Sequence, residues 1–381
     1  MNLFENARAA RSTEWGPDGL PKTRPVAEWP DLLRRLTSAA EWSKRSKNAD
    51  LCERLREFAR HCLGFTRPDG TFLFGDGSQS ILDPLRAWAE IVEDEGIQTV
   101  LDRWTPPKRR EPTIAPPPLP AFAGESRPTA ILRADWSARG DWIAIDQRDP
   151  ATPCLVELAG GGKRWIGPNW GEPTNARSQT VHWSTDSRAD LFEWSFPSDA
   201  GKVVRTALLA RERGWGILGE ERRVSENAPI CRVRLDLAPL VSATRPNESA
   251  ALILSSGRRR ASVASIGLDP TELRVENGGI ALDRLSKGRR VWLPLLFTWN
   301  PDLLSKKLRV RILTVAEKSR VCAPDVAFAA RIAWGVGESI VVYRSLARPS
   351  PRSFLGHQTS ARFLVGLFHA DGRVEPIVQV D

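Results

Sequence analysis

The sequence predicts a mainly β protein, a large antiparallel β-sandwich preceded by an α-helical N-terminal segment. Three observations carry that expectation. From Ile131 onward, short apolar runs alternate with turn residues, and no long helical period interrupts them. Seven tryptophans, Trp136, Trp142, Trp165, Trp170, Trp183, Trp194 and Trp215, pave the first part of that stretch, and aromatic residues favour a pleated, half-buried surface. Ahead of it, apolar residues recur at spacings of three and four, the period of one helix face.

The helical segment spans residues 1–105. Trp29-Pro-Asp-Leu-Leu-Arg-Arg-Leu opens a first helix, with Pro30 and Asp31 in the turn that tolerates both. A second runs from Asn48 to Gly64, where Leu51, Leu55, Phe58 and Cys62 share a face and Gly64 occupies the expected C-cap. The pattern from Leu82 to Trp104 predicts one long third helix. Between them Arg67-Pro-Asp-Gly-Thr-Phe-Leu-Phe-Gly-Asp-Gly is a turn-rich connector. Residues 106–128 are proline-rich and predict an extended, semi-rigid linker.

Residues 129–381 form the predicted sandwich. Its strands include Ala130–Ala134, Trp142–Asp146, Leu155–Leu158, Leu191–Phe196, Val203–Leu209, Ile230–Leu237, Arg290–Phe297, Leu308–Val315, Ala327–Trp334, Ile340–Leu346 and Phe363–Phe368. Arg232-Val-Arg-Leu-Asp-Leu and Arg309-Val-Arg-Ile-Leu-Thr alternate polar and apolar residues, giving one wet and one buried face. No fixed-period repeat is visible, which argues against a propeller or solenoid.

The formal net charge is +9. The excess concentrates between Ser256 and Arg311, where 12 basic side chains face 5 acidic ones. Arg258, Arg259 and Arg260, Lys287, Arg289 and Arg290, and Lys306 and Lys307 are the clusters, a field that attracts polyanions. Nucleic acid is not the expected partner. The opening residues lack an apolar h-region, and no apolar run approaches the ~20 residues of a membrane span. With five scattered cysteines and no Cys/His ligand spacing, a cytoplasmic chain with reduced thiols and no metal or cofactor is expected.

Chemistry-bearing residues are sparse. Gly160-Gly161-Gly162 precedes Trp165-Ile166, a strand, so it predicts a hairpin turn and not a phosphate loop at a helix N-terminus. His182 lies near Asp186, His357 and His369 flank the last long apolar run, and Tyr343 is the chain's one tyrosine. Arg164 with Trp165, Trp170 and Trp183 forms a candidate platform. Indole faces stack on sugar rings, and guanidinium pairs with carboxylate.

Four segments in order, Ile131–Trp142, Cys154–Gly167, Ala189–Glu193 and Val204–Trp215, resemble the C-terminal β-sandwich of heparinase II/III-like polysaccharide lyases. The Arg67–Asp76 connector is similar to a Pro-Asp-Gly loop of that family's helical toroid. The resemblance implies a sandwich of the lyase C-terminal type and a carbohydrate-related function. It also implies that an active member would use tyrosine and histidine as acid and base; here the candidates are Tyr343, His182 and His357. The helical segment is shorter than a complete toroid and has no tyrosine. The family's histidine-rich strand entry is replaced by Asp146-Gln-Arg-Asp-Pro-Ala-Thr-Pro. The expectation is therefore a non-catalytic protein that binds acidic polysaccharide through Arg164, Trp165, Trp170, Trp183 and Arg258–Arg260, or that acts as a scaffold. A uronate-cleaving lyase, or a structural partner docking through its helices, is the alternative.

Overall fold

The structure, a computed structural model, describes residues 15–381 apart from 17–18, 22–23, 46–48, 76–79, 108–110, 126, 148–150, 172, 174–175, 199–200, 225–229, 247–248, 268, 270–271, 286–287 and 336. Lys287 and the Arg148–Pro150 part of the strand entry lie outside the described residues.

The helices are α1 (Trp29–Arg45), α2 (Ala49–Gly64), α3 (Leu82–Ile91) and α4 (Glu95–Trp104). The single helix expected from Leu82 to Trp104 is two. Glu93 turns left-handed at φ 55°, and Asp94 then caps α4 by accepting Ile97 N–H at 3.0 Å. An aspartate supplies the acceptor that a helix start lacks, so a new helix begins there. Gly64 is likewise not a left-handed cap. It is the last residue of α2, and a Cβ there would press on Phe122 and Ile131 at 3.1 and 3.3 Å, so its smallness serves packing.

Every strand pairing among the described residues is antiparallel. The first sheet orders β1 (Phe122–Ala123), β2 (Thr129–Arg133), β3 (Trp142–Asp146), β4 (Cys154–Gly160), β5 (Lys163–Trp170), β10 (Ile230–Leu237), β15 (Gly279–Leu285) and β14 (Leu273–Glu276). The second orders β11 (Ser242–Thr244), β12 (Ala251–Ser256), β13 (Arg259–Ser265), β16 (Arg290–Thr298), β9 (Trp215–Arg223), β8 (Gly201–Ala210), β7 (Ala189–Ser198) and β6 (Gln179–Thr185). After the one-turn helix α5 (Pro301–Leu304), the third orders β17 (Leu308–Ile312), β20 (Ala327–Trp334), β21 (Glu338–Ser345), β24 (Phe363–Phe368) and β25 (Val374–Val380). A small fourth sheet holds β19 (Arg320–Val321), β18 (Ala316–Glu317), β22 (Arg352–Phe354) and β23 (His357–Thr359).

These pieces stack in layers. Leu132, Ile143, Trp165 and Trp170 of the first sheet meet Phe192, Trp194, Leu218 and Phe297 of the second in one core. The other face of the second sheet, with Leu208, Ile217 and Trp292, packs on Ile332, Ile340 and Val342 of the third. Covered on both faces, the middle of the second sheet is apolar on both sides. That is why Val291–Phe297 is a near-continuous apolar run and does not alternate. The fourth sheet then caps the outer face of the third around Tyr343, Phe354 and Leu364.

The helices lie on the outer face of the first sheet. Trp29, Phe58, Leu63 and Trp88 share a core with Ile131, Trp136, Trp142 and Ala144. This chain's own strands therefore cover the apolar face that the docking reading reserved for a partner. The proline-rich stretch is also anchored. Trp136 donates its indole N–H to Pro118 O at 2.7 Å, and Thr113 N–H bonds Asp102 Oδ2 at 2.9 Å.

Candidate functional site: a cationic cleft between two sheets

Along the face shared by the second and third sheets, alternation places every second residue in the interface. Leu208, Ile217 and Trp292 occupy its middle. Toward one end the same alternating positions become Lys202, Glu221, Arg223 and Arg290 from the second sheet and Arg344 from the third, joined by Arg362. Together with His182 of β6 and Asp381, whose Oδ1 accepts from Gln379 Nε2 at 2.9 Å, they line a cleft of about 420 Å³.

Register fixes the arrangement. Arg290 stands opposite Arg223, and Val204 opposite Glu221; the same register continued by two residues brings Lys202 opposite Arg223. Three cations thus lie side by side on adjacent strands, over roughly 10 Å at the usual strand spacing. Lys202 and Arg223 are exposed and form no ion pair among the described residues.

Beneath them is a buried ionic floor. Glu193, directly across from His182, accepts from Thr206 Oγ1 at 2.9 Å, from Arg362 Nη2 at 2.5 Å and from Arg344 Nη1. Glu221 Oε2 takes Arg344 Nε and Nη2 at 3.1 and 3.0 Å, and Arg290 Nη1 lies 3.6 Å from its other oxygen. Burial would push the Glu193 carboxyl up, but Arg344 and Arg362 outweigh it and hold the group below the usual carboxylate range. For His182, burial dominates and lowers the imidazole below its ordinary value, with Glu193 opposing and Arg362 adding to the shift. Its Nε2 is buried without a hydrogen-bond partner among the described residues.

The sequence-selected candidates scatter. Tyr343 is fully buried on the opposite face of β21 from Arg344, stacked on Phe354 at 5.3 Å, with its hydroxyl 3.2 Å from Arg352 Nη1. His357 packs against that same Phe354 ring, 5.4 Å from its centroid. Neither lines the cleft that holds His182. Asp186 is not its partner either, since that carboxylate accepts the backbone N–H groups of Arg188 and Ala189.

The aromatic platform also needs correcting. Trp165 and Trp170 are core residues between the first two sheets; Trp165 donates to Gly160 O at 3.0 Å, and Trp170 sits edge-on to Trp194 at 5.3 Å. With both faces packed, neither offers a surface to a sugar. Trp183 is half-buried beside Phe192, on the other face of β6 from His182. Arg164 is tied to Glu157 at 3.1 Å, which also pairs with Arg67. Arg258, Arg259 and Arg260 are exposed at the β12–β13 turn. They lie past the Thr298 end of β16, whereas Arg290 starts it, so the two basic clusters stand roughly 35 Å apart.

Sequence inspection passed over Lys202, Glu193, Glu221, Arg223, Arg344 and Arg362. One signal was present. Glu193 and Arg344 each stand among buried apolar neighbours in a strand, and a charge so placed has to find a buried partner.

No protein-family model matches the chain, and no curated protein matches it. Among solved structures, the layered sheets with helices on one side define a heparinase-like fold. The matches include heparinase III, the BT4657 gene product, in two structures, one of them with methylated lysines; both have a TM-score of 0.65 over 90% of this chain, at 10% and 9% identity. This chain spans about 60% of the length of those proteins. At such identity the likeness establishes the fold.

Proposed function

We propose that this chain is a non-catalytic heparinase-like protein that binds carboxylate-bearing polysaccharide in the cationic cleft. The observation that carries the proposal is the row Lys202–Arg223–Arg290. Two of its three cations form no ion pair among the described residues, and the row rests on a floor whose charges are already paired. Repeating carboxylates along a uronate chain are the natural counter-charges, and arginine takes them bidentately. The full burial of Tyr343, whose hydroxyl bonds Arg352 inside the core, supports binding without elimination, since an acid and a base have to reach one sugar ring.

Two measurements on one panel of uronate polysaccharides test it. In titration calorimetry, Lys202→Glu/Arg223→Glu is expected to weaken binding at least ten-fold, and rising salt to weaken the parent protein steeply. Ultraviolet absorbance, which rises when elimination creates an unsaturated uronate, is expected to stay flat. A rising trace establishes a lyase, and equal affinity of the double variant removes the cleft as the site.

A further inference from the structure

The third sheet ends in an open edge. Gly335 N–H bonds Lys307 O at 3.1 Å and Leu313 N–H bonds Ala329 O at 2.9 Å, so Arg309 and Arg311 form the hydrogen-bonded pairs with Ala333 and Arg331. The N–H and C=O groups of Leu308, Val310 and Ile312 therefore point away from the sheet, and no strand among the described residues pairs with them.

The two faces of this edge differ. On one, Arg311 stands directly opposite Arg331, with Arg309 two residues along β17. Like charges placed so repel, and among the described residues none of the three forms an ion pair. Arg331 is held in place at 4.2 Å over the Phe368 ring, with its buried Nε unpartnered. On the other face, Ile312 is 59% exposed and opens onto a groove of about 940 Å³ with Trp292, Phe328, Val291, Leu285 and Leu346 among its walls. Its lining carboxylates are engaged: Glu272 with Arg284 at 3.2 Å, and Asp325 with Arg289 N–H at 2.8 Å.

We propose that β17 is a docking edge for an extended peptide strand of a partner protein, with acidic and apolar side chains in alternation. The incoming backbone completes the free hydrogen bonds of Leu308, Val310 and Ile312. Its carboxylates fall on the Arg309–Arg311–Arg331 face, and its apolar side chains enter the groove beside Ile312. A second copy of this chain is a poor occupant, because edge-to-edge pairing would set Arg309 and Arg311 against their own duplicates. Arg290 lines both this groove and the polysaccharide cleft, but the β17 edge and its three arginines lie outside the cleft, so the proposal stands whether or not that reading holds.

Fluorescence polarisation of the full chain with a labelled, capped Val-Glu-Val-Glu-Val-Glu-Val peptide tests the proposal. Saturable binding is expected, weakened at least ten-fold by Arg309→Glu/Arg311→Glu. Val310→Pro is expected to abolish it while leaving the thermal transition in place, since that N–H makes no ladder bond. N-methylating the probe on alternate residues is expected to abolish binding by the unaltered protein, which needs no variant to fold. Absence of saturable binding overturns the proposal, as does equal affinity for a Lys-for-Glu probe. Sedimentation showing a dimer that Val310→Pro dissociates overturns it in favour of self-pairing. Polysaccharide affinity in the Arg309→Glu/Arg311→Glu variant is expected to be unchanged, so the two sites fail or survive separately.

Discussion

Glu193 lies between Phe192 and Trp194 in β7 and is fully buried. Removing a carboxylate from water costs several kcal/mol, and only complete pairing offsets that. Arg344, itself buried, bonds both Glu193 and Glu221, so the Arg344→Met change leaves two acids without their main counter-charge. A loss of about 3–5 kcal/mol is expected in urea unfolding; a loss below 1 kcal/mol would mean that water or Arg362 replaces it. The pairing also sets a pH dependence. Because the folded carboxyl of Glu193 titrates below its unfolded value, its contribution is present above the ordinary glutamate pKa of ~4.3 and is lost as pH falls toward the folded value. Glu193→Gln is expected to be less stable than the parent near neutral pH, with the gap closing as the solution is acidified through that window. Parallel stability curves from pH 7 to pH 3 would contradict the assignment. The presence of these charges in apolar strands was legible in the sequence. Their partners were not, because Arg344 is 151 residues from Glu193 and no local pattern links them.

Among the elements, the β4–β5 hairpin shows how far a motif can be read. Gly161 and Gly162 adopt φ of 61° and 76°, the left-handed pair that a tight hairpin requires and that glycine takes without strain. The expected turn is there. Gly160 has a different reason: a Cβ at that position would fall inside the Trp299 ring, which arrives from the end of β16. Gly160→Ala is expected to cost about 1–3 kcal/mol in thermal unfolding by overpacking, and Trp299→Leu in the same background to recover part of it. No recovery would place the strain elsewhere. Helix ends were the least legible elements. The break at Glu93–Asp94 depends on Arg60 of α2 reaching Asp94 at 2.7 Å, as well as on the local cap.

At the scale of the molecule, the helices and the first sheet fold as mutual covers. Buried Arg133 of β2 donates Nη2 to Gly64 O and Thr66 O at 2.9 and 3.0 Å, with Trp136 and Trp142 packed about its guanidinium. Val26 N–H bonds Asp146 Oδ2 at 3.0 Å, and Arg67 pairs with Glu157 at 2.6 Å. Residues 129–381 produced alone would expose Ile131, Trp136, Trp142 and Ala144. That fragment is expected to bind an apolar dye and aggregate at concentrations where the full chain stays monodisperse. The full chain is expected to unfold in one calorimetric transition. A soluble fragment with the parent's sheet stability would show that the helices are an independent unit.

The sequence alone determined the class of structure: helices first, then an antiparallel sandwich, with strands such as Trp142–Asp146, Ile230–Leu237 and Ala327–Trp334 located to the residue. Hydrophobic period and turn chemistry are local properties, so they survive in one dimension. Which faces meet was decided only in three dimensions. Trp165 and Trp170 share the composition of a sugar platform but became core, and Tyr343 and Arg344 parted to opposite sides of one strand. Lys202, Arg223 and Arg290, far apart in the chain, became neighbours through strand register. A side chain's chemistry belongs to its residue, but its exposure and its partners depend on the long-range pairing of strands.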